Sequence, residues 1–273
     1  MVKKACLILL LAVGLYADSL LERVSLLMDP SDYDSHKKLI ALLFEDETAF
    51  RAGPDYDMVK IATVLEENGL LRLSLGENEE IGLIFEYEGE NPLFFMKLIA
   101  DTLRSLGLSS VLTKRASFDE NGFVWRVGFV SSSVPDPVLI AERLKKRDAK
   151  VADIERIDAA LWRYRVDLNE ADMSALPMEA GDVRKIVRPV RPVWIDVSHI
   201  RKLTIRELPG SHWHADVVVY DKMLHILSMR QNDTRTRFMR LRLPGDAAYV
   251  KISDRFTLEN LRSGLKLNAQ GAR

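Results

Sequence analysis

The feature that most constrains this chain is a repeated order of elements between residues 81 and 168. A strand-like run, a proline-led helix and a second strand-like run occur twice in succession. In the first copy Asn91-Pro92 opens the helix. A cap residue of this type accepts a bond from a first-turn N–H, and proline costs nothing where that N–H has no intrahelical partner. Phe95, Leu98, Ile99, Thr102 and Leu103 fall on one face of it, and Gly107 ends it. In the second copy Asp136-Pro137 opens the helix, Ile140 and Leu144 form its apolar face, and Lys145-Lys146-Arg147 suits the negative end of its dipole. Asn121-Gly122 predicts a tight hairpin with both residues at its centre, because both tolerate positive φ. Beyond it Phe123, Trp125, Val127 and Phe129 alternate as a half-buried strand does. Two such units joined by a hairpin give the β-α-β-β-α-β order of a ferredoxin-like domain, extended here by a final hairpin strand. That fold serves many functions and names none.

The first residues predict export. Lys3 and Lys4 precede an uncharged, largely apolar run over 5–16, and Ala17 supplies a small residue before polar sequence begins. The run suits a signal peptide and is too short to span a bilayer as a helix. The expectation is a signal peptide over 1–17, cleaved after Ala17, and a periplasmic product beginning at Asp18. Cys6 is the only cysteine and would leave with the signal, so packing alone must hold the product. No later stretch has about 18 uncharged apolar residues, which predicts no transmembrane helix in the mature chain. The net charge of -1 points globally to neither nucleic acid nor an anionic membrane, and no motif implies a cofactor.

Residues 20–69 read as short helices capping the next domain. Leu20, Leu21, Val24, Leu27 and Met28 mark the first, and Pro30 with the Ser31-Asp32-Tyr33-Asp34 cluster breaks it. Leu39, Ile40, Leu43 and Phe44 mark the second. The third starts near Asp57 and stops at Asn68-Gly69. Residues 70–75 and 81–88 read as strands. Residues 169–192, with Pro177, Gly181, Pro189 and Pro192, read as a connector. From 193 onward helices nearly vanish. Seven short strand-like runs, over 193–197, 202–208, 215–220, 224–229, 236–243, 248–253 and 264–267, argue for a β-sandwich. The expected class is therefore α+β: a helical N-terminal segment and ferredoxin-like domain over 18–168, a connector, and an all-β sandwich over 193–273.

The run from Trp213 through His214, Ala215, Asp216, Val217, Val218, Val219 and Tyr220 to Asp221 carries a likeness, together with Tyr249 to Asp254 and 261–265. With Val124-Trp125-Arg126-Val127 and Asp136-Pro137, it resembles predicted periplasmic proteins of epsilon-class proteobacteria. The resemblance implies an envelope location. No activity is known for that group, so it implies no catalytic residue.

His212, His214 and Asp216 alternate, so on a strand they share a face, as two imidazoles and a carboxylate around a metal would. His199 or His225 would have to complete the set. Trp213, Tyr220 and Trp194 offer an aromatic platform for a sugar ring, although aromatics in β-domains usually fill the core. Arg240 and Arg242 share one face of their strand, and Arg235 and Arg237 the other, which suits a charged edge strand. Glu77, Glu79, Glu80, Glu86, Glu88 and Glu90 raise the idea of paired carboxylates, but their alternation with Phe85 and Tyr87 is that of a solvent face. The best contact region is the loop 209–214, where Ser211, His212, Trp213 and His214 would stand together at the surface, with Tyr220 nearby. The chain thus reads as a non-catalytic envelope binding or adaptor protein that recognises a protein or glycan through its sandwich. The second reading is a metal-dependent hydrolase built on His212, His214 and Asp216.

Overall fold

The structure is a computed structural model that describes residues 19–120, 122–168 and 175–272. The expected signal peptide, Asn121 and residues 169–174 of the expected connector lie outside the described residues. The chain is mixed α+β, with few helices and mostly sheet.

Helix α1 (Leu20–Ser25) is capped by Ser19, and α2 (Pro30–Leu43) by Asp29. The first helix ends before Pro30, as expected, but Pro30 also starts the second, which takes in the Ser31–Asp34 cluster. Pro30 occupies the first helical position, and Asp29 Oδ1 accepts from Ser31 N at 2.9 Å. A short ribbon, β1 (Arg51–Ala52) with β2 (Asp55–Tyr56), leads to α3 (Met58–Glu67). Gly69 ends that helix at φ +68°.

The two strands expected over 70–88 are one long strand, β3 (Ser74–Tyr87), with an irregularity between Ser74 and Glu79. Then follow α4 (Pro92–Ser105), β4 (Leu112–Asp119), β5 (Gly122–Ser133), α5 (Pro137–Lys145), β6 (Lys150–Arg156) and β7 (Leu161–Asp167). Asn91 Oδ1 accepts from Phe94 N and Asp136 Oδ1 from Val138 N, so both proline-led helices are capped as their sequences require. Phe123, Trp125, Val127 and Phe129 are all buried.

Two details differ from expectation. Asp119 pairs with Gly122, so Gly122 is the first residue of β5 and not a central turn residue. Its φ is +111°, and a Cβ there would sit 2.4 Å from the Tyr87 carbonyl oxygen, so only glycine fits. The sheet order is β4-β5-β3-β7-β6. The final strand β7 lies between β6 and β3, parallel to β3, and is not an outer extension. Trp162, Tyr164 and Val166 alternate toward the core on β7, so its apolar face joins that of the sheet.

The expected connector is partly sheet. β8 (Leu176–Pro177) pairs with β10 (Val193–Asp196), and β9 (Val183–Ile186) pairs with β16 (Leu265–Ala272). Met178 between them is buried in the C-terminal core. Strands β11 (Ile200–Glu207), β12 (Ala215–Tyr220), β13 (Ile226–Gln231), β14 (Phe238–Arg242) and β15 (Tyr249–Asp254) complete two sheets. Their orders are β13-β12-β15-β10-β8 and β14-β11-β16-β9. Ile195, Val217, Val219, Val250 and Ile252 from the first, and Leu203, Ile205, Leu241, Leu265 and Leu267 from the second, share one apolar cluster with Trp213.

Because residues 176–186 supply a strand to each sheet, a fragment beginning at residue 193 should be much weaker than one beginning at 169. Denaturant melts of the two fragments should show a sharp transition for the longer. The shorter should lose about 2–5 kcal/mol, the scale of removing one buried Met plus its paired edges. Equal midpoints would show that these residues contribute nothing to the core.

Candidate functional site: a basic sheet face

The outer face of the sheet β14-β11-β16-β9 is set by its register. Lys202 lies opposite Arg242 on one side and Gln270 on the other. Thr204 lies opposite Arg240 and Asn268, and Arg206 opposite Phe238 and Lys266. Lys266 in turn faces Lys185, and Asn268 faces Val183. The intervening residues Leu203, Ile205, Met239, Leu241, Leu265, Leu267 and Ala269 point into the core. Directly paired residues project to the same side. The outward positions therefore place six exposed cations, Lys185, Lys202, Arg206, Arg240, Arg242 and Lys266, on one surface. None of these outward positions is Asp or Glu. Among the described residues none of the six forms an ion pair.

Such a face is costly. Neighbouring strands are about 4.8 Å apart, well inside a Debye length of roughly 8–10 Å, so the like charges repel through little screening. Charge on an edge strand guards against unwanted pairing. That reason covers Arg240 and Arg242 on β14, but not Lys202, Arg206 and Lys266, whose strands have partners on both sides. Phe238 is 38% exposed between two guanidinium groups, with Arg240 4.9 Å and Arg206 5.5 Å from its ring centre. At the end of the sheet a cleft of about 660 Å³ is lined by Arg201, Lys202, Arg242, Leu243, Gly245, Gln270 and Gly271. The arrangement can attract and orient an anion along a surface that also offers an aromatic ring and uncharged hydrogen-bonding groups.

No family model, curated protein or solved structure matches this chain. The site therefore rests on its own geometry.

The residues singled out in the sequence lie elsewhere and are largely structural. Trp213 is fully buried in the C-terminal core, and its Nε1 donates to the Ser253 carbonyl at 2.8 Å. This corrects the expectation of a surface contact: Trp213 alternates with Ala215 and Val217 toward the inner side of β12. Ser211 is also fully buried, with its hydroxyl on the Gly264 carbonyl at 3.0 Å. Among the aromatic side chains of loop 209–214 only that of His212 is exposed, and its backbone N–H is bound to Asn260 O.

His214 packs edge-on against Phe256 and lies 3.2 Å from Asn260 Nδ2. Asp216 accepts from Gln231. His225, a possible further ligand, is held by Asp221 at 3.0 Å. Among the described residues no group of three His, Cys, Asp or Glu side chains is placed to hold a metal ion.

Tyr220 stacks on Trp194 at 5.2 Å, and both pack against the N-terminal core with Lys97 of α4 over the Trp194 ring. They join the two halves of the chain, so they do not form an open sugar platform. Glu80 pairs with Lys114, and Glu86 lies in a network with Arg163 and Glu155. These carboxylates therefore have local partners.

The paired sheet face was missed because its cations come from four strands far apart in sequence. A signal was present. Residues 193–273 hold fourteen Lys and Arg against eight Asp and Glu, whereas residues 18–168 hold nineteen against twenty-eight. Net charge over the whole chain hides this division.

Proposed function

We propose that this is a non-catalytic binding protein of the cell envelope that holds an anionic glycan on the outer face of the β14-β11-β16-β9 sheet. The C-terminal half is read as a β-sandwich. The N-terminal half is read as a ferredoxin-like unit with β7 inserted in its sheet, serving as scaffold. The envelope location rests on the Lys3-Lys4, apolar run and Ala17 order.

The observation that carries the reading is the set of six cations without a carboxylate among them, half of them on interior strands. A glycan is favoured over an acidic peptide by what lies between the charges. Phe238 gives a ring face for stacking, and Thr204, Asn268 and Gln270 give uncharged groups suited to hydroxyls.

The test uses dextran sulfate, neutral dextran and duplex DNA with the full mature chain. Dextran sulfate should bind and dextran should not. The triple variant Arg206→Ser, Arg240→Ser, Lys266→Ser should bind dextran sulfate about tenfold more weakly or worse, with an unchanged melting midpoint. Equal binding by the variant would place the site elsewhere. Tighter binding to DNA than to the sulfated glycan would overturn the choice of partner.

A further inference from the structure

We propose that the cleft at the end of this sheet is a phosphate-ester site that seats a phosphorylated sugar; this deepens the anionic-glycan reading and rests on it. Arg201, Lys202 and Arg242 line the cleft, and no acidic residue is in the lining. Asp246, on the adjoining turn, is exposed and outside it. Three cations outmatch a single carboxylate but suit a phosphate monoester, which carries nearly two charges and three acceptor oxygens. Planar guanidinium groups match those oxygens in pairs, and an ammonium adds a point charge.

The cations are attached to a fixed frame. Lys202, Arg242 and Gln270 are direct partners in one row of the sheet. Leu243 N donates to Arg201 O at 2.9 Å, and Ala247 N closes the following turn on Pro244 O at 3.2 Å. The cleft is larger than a phosphate group needs. Its volume falls within the ordinary range for small-molecule sites, which leaves room for an attached ring. Leu243 gives an apolar wall, Gln270 an amide, and Gly245 a stretch of wall without a side chain. A Cβ at Gly245 would meet nothing within 4 Å.

Isothermal titration of the mature chain with glucose 6-phosphate, inorganic phosphate, glucuronate and glucose tests this. Glucose 6-phosphate should bind, glucuronate about tenfold more weakly, and glucose not at all. The double variant Arg201→Gln, Arg242→Gln should weaken glucose 6-phosphate about tenfold or more, since a bond to a charged group exceeds one decade in affinity. Gly245→Tyr keeps every charge and narrows the cleft, so it should weaken the sugar phosphate while leaving inorganic phosphate bound. Matched melting midpoints show that both variants fold; if the double variant melts early, Lys202→Gln replaces it, and the same loss of glucose 6-phosphate binding is expected. Unchanged glucose 6-phosphate binding in the variants, or none in the parent, overturns the site. Inorganic phosphate binding as tightly as the ester overturns the sugar component. If dextran sulfate still binds the parent while glucose 6-phosphate does not, the cleft assignment fails alone; if neither binds, the glycan reading fails with it.

Discussion

Replacing Trp213 with alanine is expected to destabilise the C-terminal half by about 3–5 kcal/mol, the usual cost of emptying a large buried aromatic site. Trp213 is among the largest fully buried side chains and lies between the two C-terminal sheets. Its surroundings are paired strands, which limit collapse into the space. A bond is lost as well, because Nε1 donates to Ser253 O on β15. Denaturant melts read by far-UV circular dichroism should show a clear fall in midpoint. Trp213→Phe should be intermediate, since it refills much of the volume but leaves the Ser253 carbonyl without that donor. A midpoint within experimental scatter of the parent would return Trp213 to the surface and put the description of this core in error.

The second large effect is expected at Asp254. Its side chain has no solvent exposure. Burial pushes its carboxyl up, but bonds from the backbone N–H groups of His214, Phe256 and Thr257 and from the Asn260 amide outweigh that and hold it below the ordinary Asp value. One carboxylate therefore ties the start of β12 to the turn that follows β15. Asp254→Ala should cost about 2–4 kcal/mol, because several donors lose a charged acceptor at once. The effect should depend on pH. A carboxyl whose folded pKa is depressed stabilises fully above its unfolded pKa, near 3.9. That contribution is lost as pH falls through the lower folded value. Parent and variant should thus differ most near neutrality, and the difference should shrink as pH falls from the ordinary Asp value through the lower folded one. A constant difference across that range would mean that the ionised form of Asp254 is not what holds the turn.

Local signals were legible where chemistry acts over a few residues. Asn91-Pro92 and Asp136-Pro137 start helices because capping is decided within one turn. Each of the seven runs read as strand from residue 193 onward carries a strand, because alternation and turn residues are also local. Pro30 was read only as a break after the first helix, and α1 does end before it; that it also begins α2 was missed because proline both ends and begins helices, and the distinction lies in whether Asp29 is free to cap.

Placement in the sheets was less legible. That β7 enters between β6 and β3 depends on long-range pairing, which strand pattern alone does not specify. The short β8 and β9 carry too few residues to show alternation, and their partners lie distant in sequence. The site was least legible for the same reason. Loop 209–214 has a concentrated set of polar and aromatic residues, yet most of them are consumed in holding the fold. The basic face has no contiguous motif, since Lys185, Lys202, Arg240 and Lys266 become neighbours only through the register of four strands.

The central claim, that this face binds an anionic glycan, is tested most directly by the salt dependence of dextran sulfate affinity. Binding that releases counterions gives a linear fall of log affinity with log salt, and each cation removed from the contact makes that slope shallower by about one unit or somewhat less. The parent chain should show a steep slope, and the Arg206→Ser, Arg240→Ser, Lys266→Ser variant a slope smaller by about two to three. A slope identical in the two proteins would contradict the account, because the cations of this face would then take no part in holding the polyanion.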